Sequence, residues 1–139
     1  MKICFDMDGT ICVGHPYKEA KPLRGMVDLI STLRERGHTI IIQTARGMGR
    51  NNSNAGAAMK DMALLTLNQL DDWGIQYDEI YFGKPNADLY VDDKGYNISR
   101  IGCIIDYVND FEKLEKNTKQ NSSNLEDKLK VLLTKLDKC

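Results

Sequence analysis

Lys2-Ile3-Cys4-Phe5-Asp6-Met7-Asp8-Gly9-Thr10 opens the chain with a short apolar run that stops abruptly at an acidic, glycine-containing turn. The run reads as a buried β-strand, and Gly9 marks where it ends. Downstream, Pro22 announces a helix that carries Met26, Leu29, Ile30 and Leu33 at i, i+3, i+4 and i+7 and finishes at Gly37. Thr39-Ile40-Ile41-Ile42-Gln43 is a second continuous apolar run, expected as a central strand covered on both faces, with Thr44 at its carboxyl end. Gly47 to Gly56 is rich in Gly, Asn and Ser and reads as a mobile loop. A second helix then presents Met59, Met62, Ala63, Thr66, Leu70 and Trp73 on one face and closes at Gly74. Two more short strands, around Glu79 to Phe82 and Leu89 to Val91, frame Gly83-Lys84-Pro85; Ile101 to Ile105 is a last strand or part of the next helix. Alternation of apolar runs with helical periods predicts an α/β fold with a mostly parallel sheet.

A chain of 139 residues with 42% hydrophobic and 28% charged residues suits one globular core. Nineteen basic against twenty acidic residues leave a net charge of -1, which predicts neither nucleic acid nor an anionic membrane as partner. Only five residues precede Asp6, too few for a signal peptide, and no apolar run has the length of a membrane span; the expectation is a soluble cytoplasmic protein. Cys4, Cys12, Cys103 and Cys139 lack paired metal-ligand spacing and are expected as reduced thiols. After Lys113, Asn117 to Ser122 reads as a linker, and Ser123-x-x-Glu126 as a capping box opening a helix. Its stripe of Leu125, Leu129, Leu132 and Leu136 suits packing on the domain or on another copy as a homo-oligomer. The expected division is a catalytic domain over 1–112 followed by linker and helix over 113–139.

Sites of open parallel sheets form beyond the carboxyl ends of the strands. Here those positions hold Asp6 and Asp8, then Thr44 and Arg46, then Lys84, then Asp92 and Asp93. Several carboxylates at one edge repel each other unless a cation compensates them, and oxygen ligands favour magnesium over zinc. A carboxylate such as Asp6 can attack phosphorus and form an aspartyl-phosphate that water cleaves. Asp8, turned by Gly9, can donate a proton to the leaving oxygen and later accept one from water. Thr44 can hydrogen-bond a transferring phosphoryl oxygen, and Lys84 can stabilise that group while holding Asp6 ionised. Gly9, Thr10, Ala45 and Arg46 are expected around the substrate, Arg46 either touching its phosphate or leaving group or anchoring the loop. Beside these stand plainer readings: Asp-x-Asp-Gly as a capped turn, Thr44 as a strand end, Lys84 as a solvated lysine and Asp92-Asp93 as a solvated turn.

Asp6-Met7-Asp8-Gly9-Thr10, Thr44, Lys84 and Asp92-Asp93 resemble, in order along roughly residues 1 to 112, the four motifs of the haloacid dehalogenase superfamily. That resemblance implies a three-layer Rossmann-like fold with helices on both faces of the sheet. It also implies Asp6 as nucleophile, Asp8 as acid/base, Thr44 and Lys84 on phosphate, and a magnesium site from Asp6, Asp8, Asp92 and Asp93, with Asp92 favoured as direct ligand. The intervals between the first, second and third motifs are only about forty residues each, so no cap domain is expected. The pocket would then be built from the loops Cys12 to Lys21 and Arg46 to Gly56. Thr44-Ala45-Arg46-Gly47-Met48, Phe82-Gly83-Lys84-Pro85-Asn86-Ala87-Asp88 and Tyr90-Val91-Asp92-Asp93-Lys94 are similar to a narrower branch, small phosphatases encoded with capsule or surface-polysaccharide synthesis. The implied substrate is a small phosphorylated metabolite such as a sugar phosphate or polysaccharide precursor. A phosphotransferase or mutase on the same scaffold is the alternative, as is a phospho-accepting receiver-like signalling domain. Receivers, however, separate their acidic pair from the acceptor aspartate, whereas Asp6 and Asp8 share one loop.

Overall fold

The computed structural model of the protein describes residues 1–87, 89, 95–97, 106, 108 and 109. Within Met1–Gly95, the larger of two compact units, three parallel strands form a sheet: β1 (Lys2–Asp6), β4 (Thr39–Thr44) and β5 (Glu79–Phe82), in the order β1-β4-β5. A second, antiparallel ribbon pairs β2 (Cys12–Val13) with β3 (Lys21–Pro22) and closes a loop that includes a 3-10 turn at Tyr17–Glu19. Helix α1 (Arg24–Glu35) joins this ribbon to β4, and α2 (Ala55–Asp72) joins β4 to β5. Among the described residues no helix is long and apolar enough to cross a membrane.

Both helices end where the sequence places them, and by the same device. Gly37 and Gly74 take φ of 84° and 73°, the left-handed conformation that lets the next amide reach back into the helix. His38 donates to the Leu33 carbonyl and Ile75 to that of Leu70, closing the last turns. Helix α2 starts inside the segment expected as a loop, because the Asn54 side chain accepts from the Ala57 amide and caps it. The rest of that segment is a chain of hydrogen-bonded turns rather than irregular loop. Met48 donates to Ala45, Asn51 to Gly47 and Ser53 to Met48, and the Met48 side chain is buried.

The sheet steps in one direction, β1 to β4 to β5, so right-handed crossovers carry α1 and α2 over the same face. Register bears this out. Phe5 lies beside Ile42, and Ile40, Ile42 and Thr44 on that face have no solvent exposure. The other face holds Cys4, Ile41, Gln43, Glu79 and Tyr81, all half-buried or exposed. Helices α1 and α2 thus cover this face, and the expectation of helices on the other face as well concerns residues outside those described. The buried face of α2 differs from the expected one: Ala58, Met62, Thr66, Gln69 and Leu70 point inward, while Met59 is exposed and Trp73 half-buried. No cap domain interrupts either interval. The strand expected at Leu89 to Val91, the run Ile101 to Ile105, the acids Asp92 and Asp93, and the linker and helix after Lys113 lie wholly or almost wholly outside the described residues.

At the amino ends of the strands, Asp78 joins sheet and helix. Its amide donates to the Ile40 carbonyl, its Oδ2 accepts from the Ile40 amide at 2.8 Å, and its Oδ1 meets Arg34 of α1 at 3.4 Å. The Ile40 amide, with Arg34 in support, lowers the Asp78 carboxyl below its usual 3.8. A lowered carboxyl stabilises the fold above its unfolded value, and that contribution is lost as the pH falls through the folded one. Asp78→Ala should therefore lower the melting temperature at neutral pH, and the gap to wild type should close as the pH drops below 3.8 in a series of thermal melts.

Candidate functional site

β1 delivers Asp6 to the carboxyl edge of the sheet, and the chain then turns sharply. The Met7 carbonyl accepts from the amides of Thr10, Ile11 and Cys12, and Gly9 donates to the Cys12 carbonyl at 2.8 Å. This knot holds Asp8 beside Asp6 as the chain doubles back into β2. Both carboxylates line an open cleft of about 720 Å³. Its other walls are His15, Pro16, Tyr17 and Lys18 from the ribbon loop, Ala45 to Gly47 with Gly49 and Arg50 after β4, and Lys84 after β5. The two loops expected to build the pocket therefore both border it. Gly9 and Thr10, expected at the substrate, are not in its lining.

Lys84 reaches Asp6, with Nζ 3.2 Å from Oδ1; the side chains are 18% and 32% exposed, so the pair faces the cleft without being sealed from water. Thr44 makes that placement. Its carbonyl accepts from the amides of both Gly83 and Lys84 at 3.2 and 3.1 Å, pinning the turn after β5 to the end of β4. Gly83 has φ of 95°, and a Cβ there would lie 2.6 Å from the Cβ of Ala55 at the start of α2. Only a residue without a side chain lets the Lys84 turn pass the helix.

The Thr44 side chain lies away from the cleft. It has no solvent exposure, is absent from the cleft lining, and its Oγ1 accepts from the Arg46 amide at 3.1 Å. That is the capping role of a strand end, and it fixes the course of the chain into Arg46.

Arg46 has two expected uses, a substrate contact or an anchor. An arginine after a strand suggests a substrate contact, yet this side chain, although it borders the cleft, is 0% exposed. Nε lies 3.1 and 2.9 Å from Asp8 Oδ1 and Oδ2, and Nη2 lies 2.7 Å from Oδ1. The remaining donors are taken from behind: Nη1 meets Gln69 Oε1 at 2.6 Å and Thr66 Oγ1 at 3.4 Å, and the Tyr17 ring stacks at 5.0 Å from Cζ. Of the two uses open to it, the guanidinium serves to anchor: it grips Asp8 from the protein side. The Cys12 thiol completes the group, donating to Asp8 Oδ1 and contacting Arg46 Nη2, each at 3.5 Å. Burial and the neighbouring Asp8 carboxylate push that thiol up to about 12. Gln69, Thr66, Cys12 and Asp61, none anticipated, all belong to the site or its support. A polar pair at i and i+3 on an otherwise apolar helix face was the available signal for Thr66 and Gln69.

Asp6 and Asp8 offer oxygen donors alone, which fit a hard cation. Among the described residues no group of three or more histidine, cysteine or acidic side chains gathers to hold a metal, and Asp92 and Asp93 lie outside them.

No family model matches the chain, and no match to it is found among curated proteins. The fold is similar to the crystal structure of a structural-genomics target from Vibrio cholerae, with a TM-score of 0.71 and 28% identity over 81% of this chain and 97% of that one. This likeness supports a mixed α/β, Rossmann-like architecture.

Two outcomes follow from the geometry. Gly83→Ala should displace the Lys84 turn, lowering both the melting temperature and any activity that depends on the Lys84–Asp6 pair; retention of both would show that the turn can shift around Ala55. With its thiol near 12, Cys12 should be on the order of one ten-thousandth ionised at mildly alkaline pH and escape alkylation in the folded protein, reacting only after denaturation, as peptide mapping would report.

Proposed function

We propose that this chain is a magnesium-dependent phosphatase of the haloacid dehalogenase type, acting on a small phosphorylated metabolite through Asp6. The observation that carries the reading is the pairing of Asp6 with Lys84 at 3.2 Å in an open cleft that Asp8 also lines. In this scheme Asp6 Oδ attacks phosphorus as the bond to the leaving oxygen breaks, and Asp8 gives that oxygen its proton. Water then attacks the aspartyl-phosphate at phosphorus and yields its proton to Asp8, and the bond to Asp6 breaks to release inorganic phosphate.

Lys84 lies where it can offset charge on the transferring group. Asp8 Oδ2 accepts only from Arg46 Nε among the described residues, while Oδ1 is shared by the guanidinium and the Cys12 thiol, so Oδ2 is the oxygen suited to carry the proton. Thr44, being buried, acts in this reading by placing Lys84 and Arg46 rather than by touching phosphate. Asp6, with Asp92 or Asp93 completing the set, would hold the magnesium ion beside Asp8, whose carboxyl oxygens stay committed to Arg46 and the proton. When bound, it supplies positive charge against the phosphate oxygens. A cleft this open and without a cap admits water and an extended leaving group, which favours hydrolysis over phosphoryl transfer and suits a sugar phosphate or polysaccharide precursor.

Release of phosphate from a panel of phosphorylated sugars and nucleotides provides the test. Asp6→Asn should lower turnover on the order of a thousandfold or more, and Lys84→Ala about a hundredfold. Chelation of divalent metal should abolish activity and magnesium restore it. Undiminished turnover by Asp6→Asn would end the proposal.

A further inference from the structure

Helix α2 carries a buried polar residue that the scheme above does not use. Gln69 is 7% exposed, on the same face as Thr66 and Leu70, where an apolar side chain would cost nothing in desolvation. Both ends of its amide are engaged. Oε1 accepts from Arg46 Nη1 at 2.6 Å, and Nε2 donates to the Tyr17 carbonyl at 2.7 Å. The orientation of the amide is settled by its partners, since a guanidinium only donates and a carbonyl only accepts. Among side chains of that length, glutamine alone supplies an acceptor to the first and a donor to the second.

The two partners come from different segments that line the cleft. Arg46 holds Asp8, and Tyr17 belongs to the loop whose His15, Pro16 and Lys18 line the cleft with it. The Tyr17 ring also stacks on the Arg46 guanidinium, so rim, arginine and aspartate are joined twice, once through the ring and once through Gln69.

We propose that Gln69 is a positioning residue: through Arg46 it sets the orientation of Asp8, and through Tyr17 it locks the ribbon-loop wall of the cleft to that same carboxylate. The chemical part of this inference rests on the reading of Asp8 as the acid/base. A substrate whose leaving group presses on the rim thereby acts on the geometry of proton transfer, and Gln69 is the link that makes the two move together.

Two variants separate its arms. Gln69→Met removes both hydrogen bonds at nearly constant volume; Gln69→Glu keeps an acceptor for Arg46 and loses the donor to Tyr17. Leaving-group release is measured in single turnovers with an alkyl phosphate, which needs a proton, and with 4-nitrophenyl phosphate, whose leaving group departs without one. Gln69→Met should slow the alkyl phosphate about tenfold or more and the nitrophenyl ester no more than about twofold. Gln69→Glu should keep most of the alkyl rate but raise KM. Equal slowing of both esters by Gln69→Met, or no slowing of either, would overturn the proposal. Wild-type protein inactive on every phosphomonoester would instead overturn the phosphatase reading. The positioning claim is then decided by thermal melts of Gln69→Met, Asp8→Asn and the double variant: melting-point losses that fall short of additive support coupling through Arg46, and additive losses refute it.

Discussion

A guanidinium without solvent exposure must have its charge met inside the protein, and Arg46 has it met at Asp8. Much of the site's architecture can be traced to that requirement. The knot of amides around the Met7 carbonyl presents Asp8 to the guanidinium, the Thr44 hydroxyl steers the chain into Arg46, and Thr66 and Gln69 turn polar atoms inward from α2. The Tyr17 ring closes the remaining side. A buried ion pair contributes little net stability, because desolvation offsets most of the attraction; its value lies in fixing one arrangement of the groups around it. Here the arrangement fixed is the direction in which a cleft-lining carboxylate points.

Thr44 shows how the backbone shares this work. As the last residue of β4, it places two neighbours at once: its hydroxyl accepts from Arg46, and its carbonyl accepts from Gly83 and Lys84. The two cationic side chains thus take their positions from one strand end and approach the two acids from different sides, Arg46 from within the protein and Lys84 from the cleft. The partnership divides the acids. Asp8 is held rigidly by a planar fork with several donors, while Asp6 meets a single ammonium that can turn. A held carboxylate suits repeated proton exchange with a defined oxygen, and a carboxylate beside a compact point charge suits attack on an incoming phosphate. On the proposed chemistry, the asymmetry of the pairs matches the asymmetry of the roles.

The elements themselves were legible because they rest on local patterns. Lys2 to Phe5 and Thr39 to Gln43 are apolar runs bounded by turn residues, and Gly37 and Gly74 end helices whose inward positions recur every three or four residues. The clustering of Asp6, Asp8, Arg46 and Lys84 was also readable, since each lies at or just beyond the carboxyl end of a strand and parallel strands bring those ends to one edge. Patterns failed where an element was too short or its partners too distant. A ribbon of two residues per strand has no periodicity to detect, so β2 and β3 read as loop. Polar composition between Gly47 and Gly56 suggested a loop, although its amides and side chains bond to one another and to α2.

Residue type and order along the chain established which chemical groups gather at the sheet edge, because strand direction alone carries them there. Which group faces substrate and which faces protein was settled by folding. Arg46 and Gln69 are separated by 23 residues, Arg46 and Asp8 by 38, and Gln69 and Tyr17 by 52, and no local pattern links such positions. A charged or amide side chain is most stable in water unless every donor and acceptor finds a partner, and only the packing of α2 and the ribbon loop over the end of β4 supplies those partners together. Arginine after a strand signals a charge near the site; enclosure by Asp8, Gln69, Thr66 and Tyr17 turns that charge inward, toward the carboxylate it holds.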